Sequence, residues 1–122
     1  MKRLSMALML AALPTAALAQ NMSAETFHQR AQALKEKGAM AIFSRGEIKA
    51  LTSEAQAAAK KAREQRLATL SAGGKPRSCP PKGSRMNSDE FMERLAAIPP
   101  TDRSRIDMTE ATIRILAGKY PC

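Results

Sequence analysis

Apolar residues recur along this chain at helical spacings, and nowhere do they alternate with polar ones as in a half-buried strand. Phe27, Ala31 and Leu34 fall at i, i+4 and i+7, on one face. Ser23 ahead of them can cap the first turn with its hydroxyl, and Gly38 behind them is a C-terminal stop. A first helix is predicted between these two residues. The run Ala39-Met40-Ala41-Ile42-Phe43 is the most apolar piece of the N-terminal half, and it is too short to classify by periodicity. It is expected to be a turn, or one helical turn, packing inward.

Ser44-Arg45-Gly46-Glu47 has the pattern of a capping box, with the Ser44 hydroxyl accepting from the Glu47 amide and the Glu47 side chain reaching back. The helix it opens should run from about Arg45 to Ser71. Ile48, Leu51, Ala55, Ala58, Ala62 and Thr69 lie near one stripe, with Lys60, Lys61, Arg63, Glu64 and Arg66 mostly off it. A seam made chiefly of alanine lets another helix approach closely but buries little area. Gly73-Gly74 followed by Lys75-Pro76 stops the helix. A linker rich in Gly, Pro, Lys and Arg then runs to Gly83, with Cys79 inside it.

Beyond the linker, Asn87-Ser88-Asp89-Glu90 predicts a helix to about Ala97, with Phe91, Leu95 and Ile98 on its inner face and Pro99-Pro100 ending it. Asp107-Met108-Thr109-Glu110 opens another, to about Lys119, with Ile113, Leu116, Ala117 and Tyr120 as its buried stripe. Two short amphipathic helices joined by a Pro-rich turn form a helical hairpin. The expected fold is therefore all-α, a long basic helical arm followed by a disulfide-closed helical hairpin.

The first residues change the picture. Lys2 and Arg3 precede an apolar run from Met6 to Leu13, and Ala17-Leu18-Ala19 supplies a small-x-small cleavage pattern. This reads as a secretory signal peptide over residues 1–19, with Gln20 beginning the mature chain. A spanning helix needs about 20 apolar residues, so no transmembrane span is expected. The mature protein should be periplasmic or secreted. Its regions are 20–72, helical; 73–78, linker; and 79–122, the disulfide-closed unit. The two cysteines, Cys79 and Cys122, have one intramolecular pairing in an oxidising compartment. Closing that loop stabilises the fold by roughly 4 kcal/mol in the chain-entropy model. The core is thin, since the chain has no Trp, one Tyr and three Phe, and a disulfide helps such a chain most.

An enzyme is not expected. His28 is the only histidine, and its neighbours Phe27 and Gln29 suggest no site. The sequence has no CxxC, no HExxH and no phosphate loop, and no metal or other cofactor is expected. Asp89, Glu90 and Glu93 stand at a helix start, where the dipole favours acidic residues. Charge is the stronger signal. The net charge of the full chain is +9, and residues 45–77 carry eight basic and three acidic side chains. That stretch is either a solvated face or a surface for an acidic partner, with Lys60, Lys61, Arg63 and Arg66 as the electrostatic binding residues. Nucleic acid is not an expected partner, because export removes it and no aromatics interleave for base stacking.

The order Cys79-Pro80-Pro81, a helix with Phe91 and Leu95, Pro99-Pro100, Ile106, a helix with Ile113 and Leu116, then Tyr120-Pro121-Cys122 resembles the Rap/Tai-type immunity domain. Such domains belong to small exported helical proteins that neutralise cell-wall amidase toxins delivered by type VI secretion. The resemblance covers residues 79–122 and implies a structural Cys79–Cys122 disulfide and a toxin protein as partner. The alternative is a periplasmic structural or adaptor protein that lays its basic helix on an acidic surface.

Overall fold

The computed structural model describes residues 22–122. The predicted signal peptide and its cleavage site lie outside the described residues. The chain is all-α, as expected. In order come α1 (Ala24–Lys37), a 3-10 segment (Gly38–Phe43), α2 (Arg45–Ser71), α3 (Ser88–Ala97), α4 (Pro100–Arg103) and α5 (Met108–Lys119). Among the described residues there is no strand, only an isolated bridge between Ser23 and Asp107.

Local chemistry sets most helix ends. The Ser23 hydroxyl accepts from the Thr26 amide at 3.1 Å. Asn87 and Asp107 accept in the same way from the amides of Glu90 and Glu110, both at 2.8 Å. These bonds satisfy amides that the first turn leaves free. At the end of α2, the Gly74 amide donates to Thr69 and the Gly73 amide to Leu70, which is a Schellman closure. Gly73 adopts a φ of 76°, a conformation that strains any residue with a Cβ.

Ser44 departs from the expected capping box. Its hydroxyl makes no capping bond and instead accepts from Lys37 Nζ at 2.9 Å. Its own amide donates to the Ala41 carbonyl at 2.8 Å, so it has no need of the Glu47 carboxylate. Glu47 turns to Arg30 on α1, with bonds of 2.6 and 2.7 Å. A guanidinium offers a carboxylate two charge-assisted bonds, which outweigh one bond to a neutral amide. Pro99-Pro100 ends α3 as expected, but Pro100 is also the first residue of α4. Its fixed φ and missing N–H suit that position.

The core joins both halves of the chain. Ala24 and Phe27 of α1, Leu51 and Ala58 of α2, Leu95 of α3, and Met108, Ala111 and Ile115 of α5 form one buried cluster. Phe27 and Phe91 meet edge to face, 6.5 Å between centroids. The long basic helix packs chiefly along α5 through its alanine seam, with Ala58 and Ala62 buried. α5 also meets α3 and α1, so its buried surface is wider than the predicted stripe. Met108, Thr109, Ala111, Thr112, Ile113 and Ile115 are buried, whereas Leu116, Ala117 and Tyr120 are only half-buried. The buried Thr112 hydroxyl is satisfied by the Met108 carbonyl at 2.7 Å.

A second correction concerns residues 38–43. They do not pack inward, since none is buried. The φ of 52° at Gly38 turns the chain out of α1, and α1 is the main neighbour of the segment that follows. No other helix lies over it to cover the apolar side chains.

The Cys79–Cys122 disulfide is present, with the two Cα atoms 4.9 Å apart. The Cys79 amide also donates to the Tyr120 carbonyl at 2.8 Å. Nearby, Arg77 grips Glu110 with two bonds of 2.8 and 2.9 Å. The end of the linker is thereby clamped to both ends of α5.

Candidate functional site: the cationic edge of α2 and the adjoining groove

Lys60, Lys61, Arg63 and Arg66 all lie on continuous α-helix. Lys60, Arg63 and Arg66 follow at intervals of three, each turned about 60° from the one before, while Lys61 is turned about 100° from Lys60 to the other side. Lys60 and Arg63 are exposed, and Lys61 and Arg66 are half-buried. Arg63 therefore lies one turn from both Lys60 and Arg66, and the four expected residues spread over about 220° of the helix circumference. Arg66 borders a small hollow beside Arg77 and Ser78.

Several basic side chains elsewhere are held in ion pairs. Arg103 binds Glu25 at 2.6 Å, Lys119 binds Glu90 at 2.5 Å, and Arg114 binds Glu110 at 3.1 Å. With Arg30–Glu47 and Arg77–Glu110, these pairs engage Glu25 of α1, Glu47 of α2, Glu90 of α3 and Glu110 of α5. Each carboxylate answers to its partner. A hydrogen bond from Arg103 holds Glu25 below its ordinary value of 4.5, and Arg30, Lys119 and Arg77 do the same for Glu47, Glu90 and Glu110. Among the described residues, Lys60, Lys61, Arg63 and Arg66 form no ion pair, although Glu64 lies one turn from Lys60.

An open groove of about 700 Å³ lies between α1, α2 and α3. Phe27 and Leu34 form one wall, Ile48 and Ala55 a second, and Phe91 and Met92 a third. No charged residue lines it. Ala59 ends the groove-facing side of α2, with Lys60 next in sequence and Arg63 one turn further on. An apolar trough thus runs into a cationic edge. The periodicity of α1 and α2 places Leu34 and Ile48 on inward faces, but it does not reveal the groove. The signal was the alanine content of the facing stripes. Ala31, Ala55 and Ala59 are too small to fill the space between three helix axes.

His28 is half-buried on α1, with Gln32 3.4 Å from its ring. Burial, followed by the nearby Arg103 charge, pushes its imidazole below the ordinary 6.5. Among the described residues, no group of three His, Cys, Asp or Glu side chains is placed to hold a metal ion.

Comparison of the chain with protein-family models, with curated proteins and with solved structures finds no match.

Proposed function

We propose that this is an exported, non-catalytic binding protein that holds an acidic protein partner against the cationic edge of α2. One observation carries this reading. Lys60, Lys61, Arg63 and Arg66 crowd into seven residues of one helix and none of them meets a carboxylate among the described residues, whereas Arg30, Arg77, Arg103 and Lys119 are each paired. Unpaired cations on a rigid helix attract an acidic surface and accelerate encounter with it. The neighbouring groove accepts apolar side chains of the same partner, and a contact of this kind needs an apolar centre as well as a charged rim.

Export is supported by the Lys2-Arg3 start, the apolar run and Ala17-Leu18-Ala19. The resemblance of residues 79–122 to Rap/Tai-type immunity domains makes a cell-wall amidase toxin the partner of choice. An acidic envelope surface is the alternative, because the same cations would serve it. The two separate in one experiment on a cell-wall amidase toxin. Its activity is measured with the wild-type protein and with the K60Q/K61Q/R63Q/R66Q variant, at low and high salt. Inhibition that weakens in the variant and with salt supports the immunity reading. No inhibition, together with salt-sensitive retention on envelope material, supports the adaptor. If the variant binds as well as wild type and neither responds to salt, the edge is only a solvated face.

A further inference from the structure

The turn between α1 and α2 presents apolar side chains to water. Phe43 is 80 % exposed, Met40 63 % and Ile42 56 %. They are not on a frayed loop. The Gly38 amide donates to the Lys35 carbonyl, Lys37 Nζ bonds the Ser44 hydroxyl at 2.9 Å, and the Ser44 amide bonds the Ala41 carbonyl at 2.8 Å. The segment is a braced tip with its apolar groups held outward. A cluster of that kind marks a contact surface.

Charge around the tip indicates what it meets. Lys35, Lys37, Arg45 and Lys49 are all exposed within residues 35–49. The acidic residues of that stretch are Glu36 and Glu47, and Glu47 is already neutralised by Arg30. Between these cations, residues 38–43 carry no polar side chain at all. A protein interface normally carries hydrogen-bonding groups among its apolar ones, whereas lipid tails offer nothing to bond.

We propose that this tip seats in the surface of an anionic lipid bilayer. Met40, Ile42 and Phe43 enter the boundary between headgroups and acyl chains, and Lys35, Lys37, Arg45 and Lys49 meet the lipid phosphates. The attachment is peripheral, since no helix among the described residues is long and apolar enough to cross a membrane. It does not depend on the reading of Lys60 to Arg66, which begin about 16 Å further along α2 than Lys49.

The test is co-sedimentation with vesicles, either of phosphatidylcholine alone or of phosphatidylcholine mixed with phosphatidylglycerol. Four proteins are compared: wild type, M40S/I42S/F43S, K35Q/K37Q/R45Q/K49Q, and K60Q/K61Q/R63Q/R66Q. All carry the same N-terminus, so any contribution from residues 1–21 is common to them. Circular dichroism and unfolding midpoints confirm that each is folded. Wild type is expected to pellet with the anionic vesicles, to release as salt rises, and to bind neutral vesicles at least tenfold less. The serine variant should lose tenfold or more. The variant at residues 35–49 should lose roughly fivefold per cation removed. The variant at residues 60–66 should bind within about twofold of wild type, on the premise that its charges lie beyond the Debye length of about 8 Å from the bilayer. Undiminished binding by the serine variant overturns the proposal, as does loss confined to the variant at residues 60–66, or no binding by wild type. A wild-type oligomer that the serine variant dissolves, with no vesicle binding, also overturns it and assigns the tip to self-contact.

Discussion

Arg103 donates its Nε–H to the Glu25 carboxylate at 2.6 Å, across 78 positions of sequence. The same guanidinium bonds the Ala96 carbonyl at 3.0 Å and the Ile98 carbonyl at 2.6 Å. One side chain, 5 % exposed, thus ties the start of α1 to the end of α3. The Ala24 amide, bonded to the Ile106 carbonyl at 2.9 Å, makes a second tie beside it.

Arg103→Met is expected to lower stability by roughly 3 kcal/mol, because two carbonyls lose their donor in a largely buried place. Arg103→Lys should recover little, since one ammonium cannot reproduce a planar fork to three acceptors. Urea unfolding of the three proteins is the measurement. An unchanged midpoint for Arg103→Met would show that the tie contributes nothing.

Acid should unfold this protein through its paired carboxylates. Glu25, Glu47, Glu90 and Glu110 are all held below the ordinary 4.5 by hydrogen bonds from Arg103, Arg30, Lys119 and Arg77. A group whose value is depressed in the folded state takes up its proton first in the unfolded chain. The stability it contributes is therefore complete above about pH 4.5 and is lost as pH falls through the folded values. Unfolding midpoints measured from pH 7 downward should be flat and then decline. E47Q combined with E110Q should give a lower plateau and a shallower decline.

The disulfide closes a loop with a sequence separation of 43. Cys79→Ser is expected to cost roughly 2–4 kcal/mol, less any structure kept by the unfolded chain. Reducing the wild type should have the same effect, which thermal unfolding with and without reductant will show. Two free thiols in the native protein on peptide mapping would remove the basis of this prediction.

Export should leave a chain that begins at Gln20. The Lys2-Arg3 start, the apolar run from Met6 to Leu13 and the Ala17-Leu18-Ala19 pattern carry this expectation. Intact mass of the exported protein decides it. Recovery of the full-length chain in the soluble cytoplasm would be the contrary result.

The helices themselves were legible in the chain, because their signals act within one turn. Ser23, Asn87 and Asp107 each cap an amide three residues on, and Gly38 and Gly73 supply the positive φ at two ends. The disulfide was legible too, since two cysteines allow one intramolecular pair. Glutamates three residues after a cap were a different matter. Glu47, Glu90 and Glu110 look local in sequence, yet they serve Arg30, Lys119 and Arg77, which lie 17, 29 and 33 positions away. A charged partner wins a carboxylate from a nearby amide only when the fold delivers it, and spacing does not record that delivery.

Burial and the site follow the same rule. A count of basic residues pointed to α2, but which cations stay free depends on where every carboxylate ends up. The apolar content of residues 39–43 was plain, and its direction was not. Those side chains face water because no third helix crosses the tip, which is a property of how α1 and α2 are set among their neighbours. The groove likewise exists because alanines on separate helices face one another across a space they cannot fill. Backbone hydrogen bonding is satisfied among near neighbours, so it can be read along the chain. Solvent exclusion and charge pairing are settled among elements distant in sequence, so they await the packed structure.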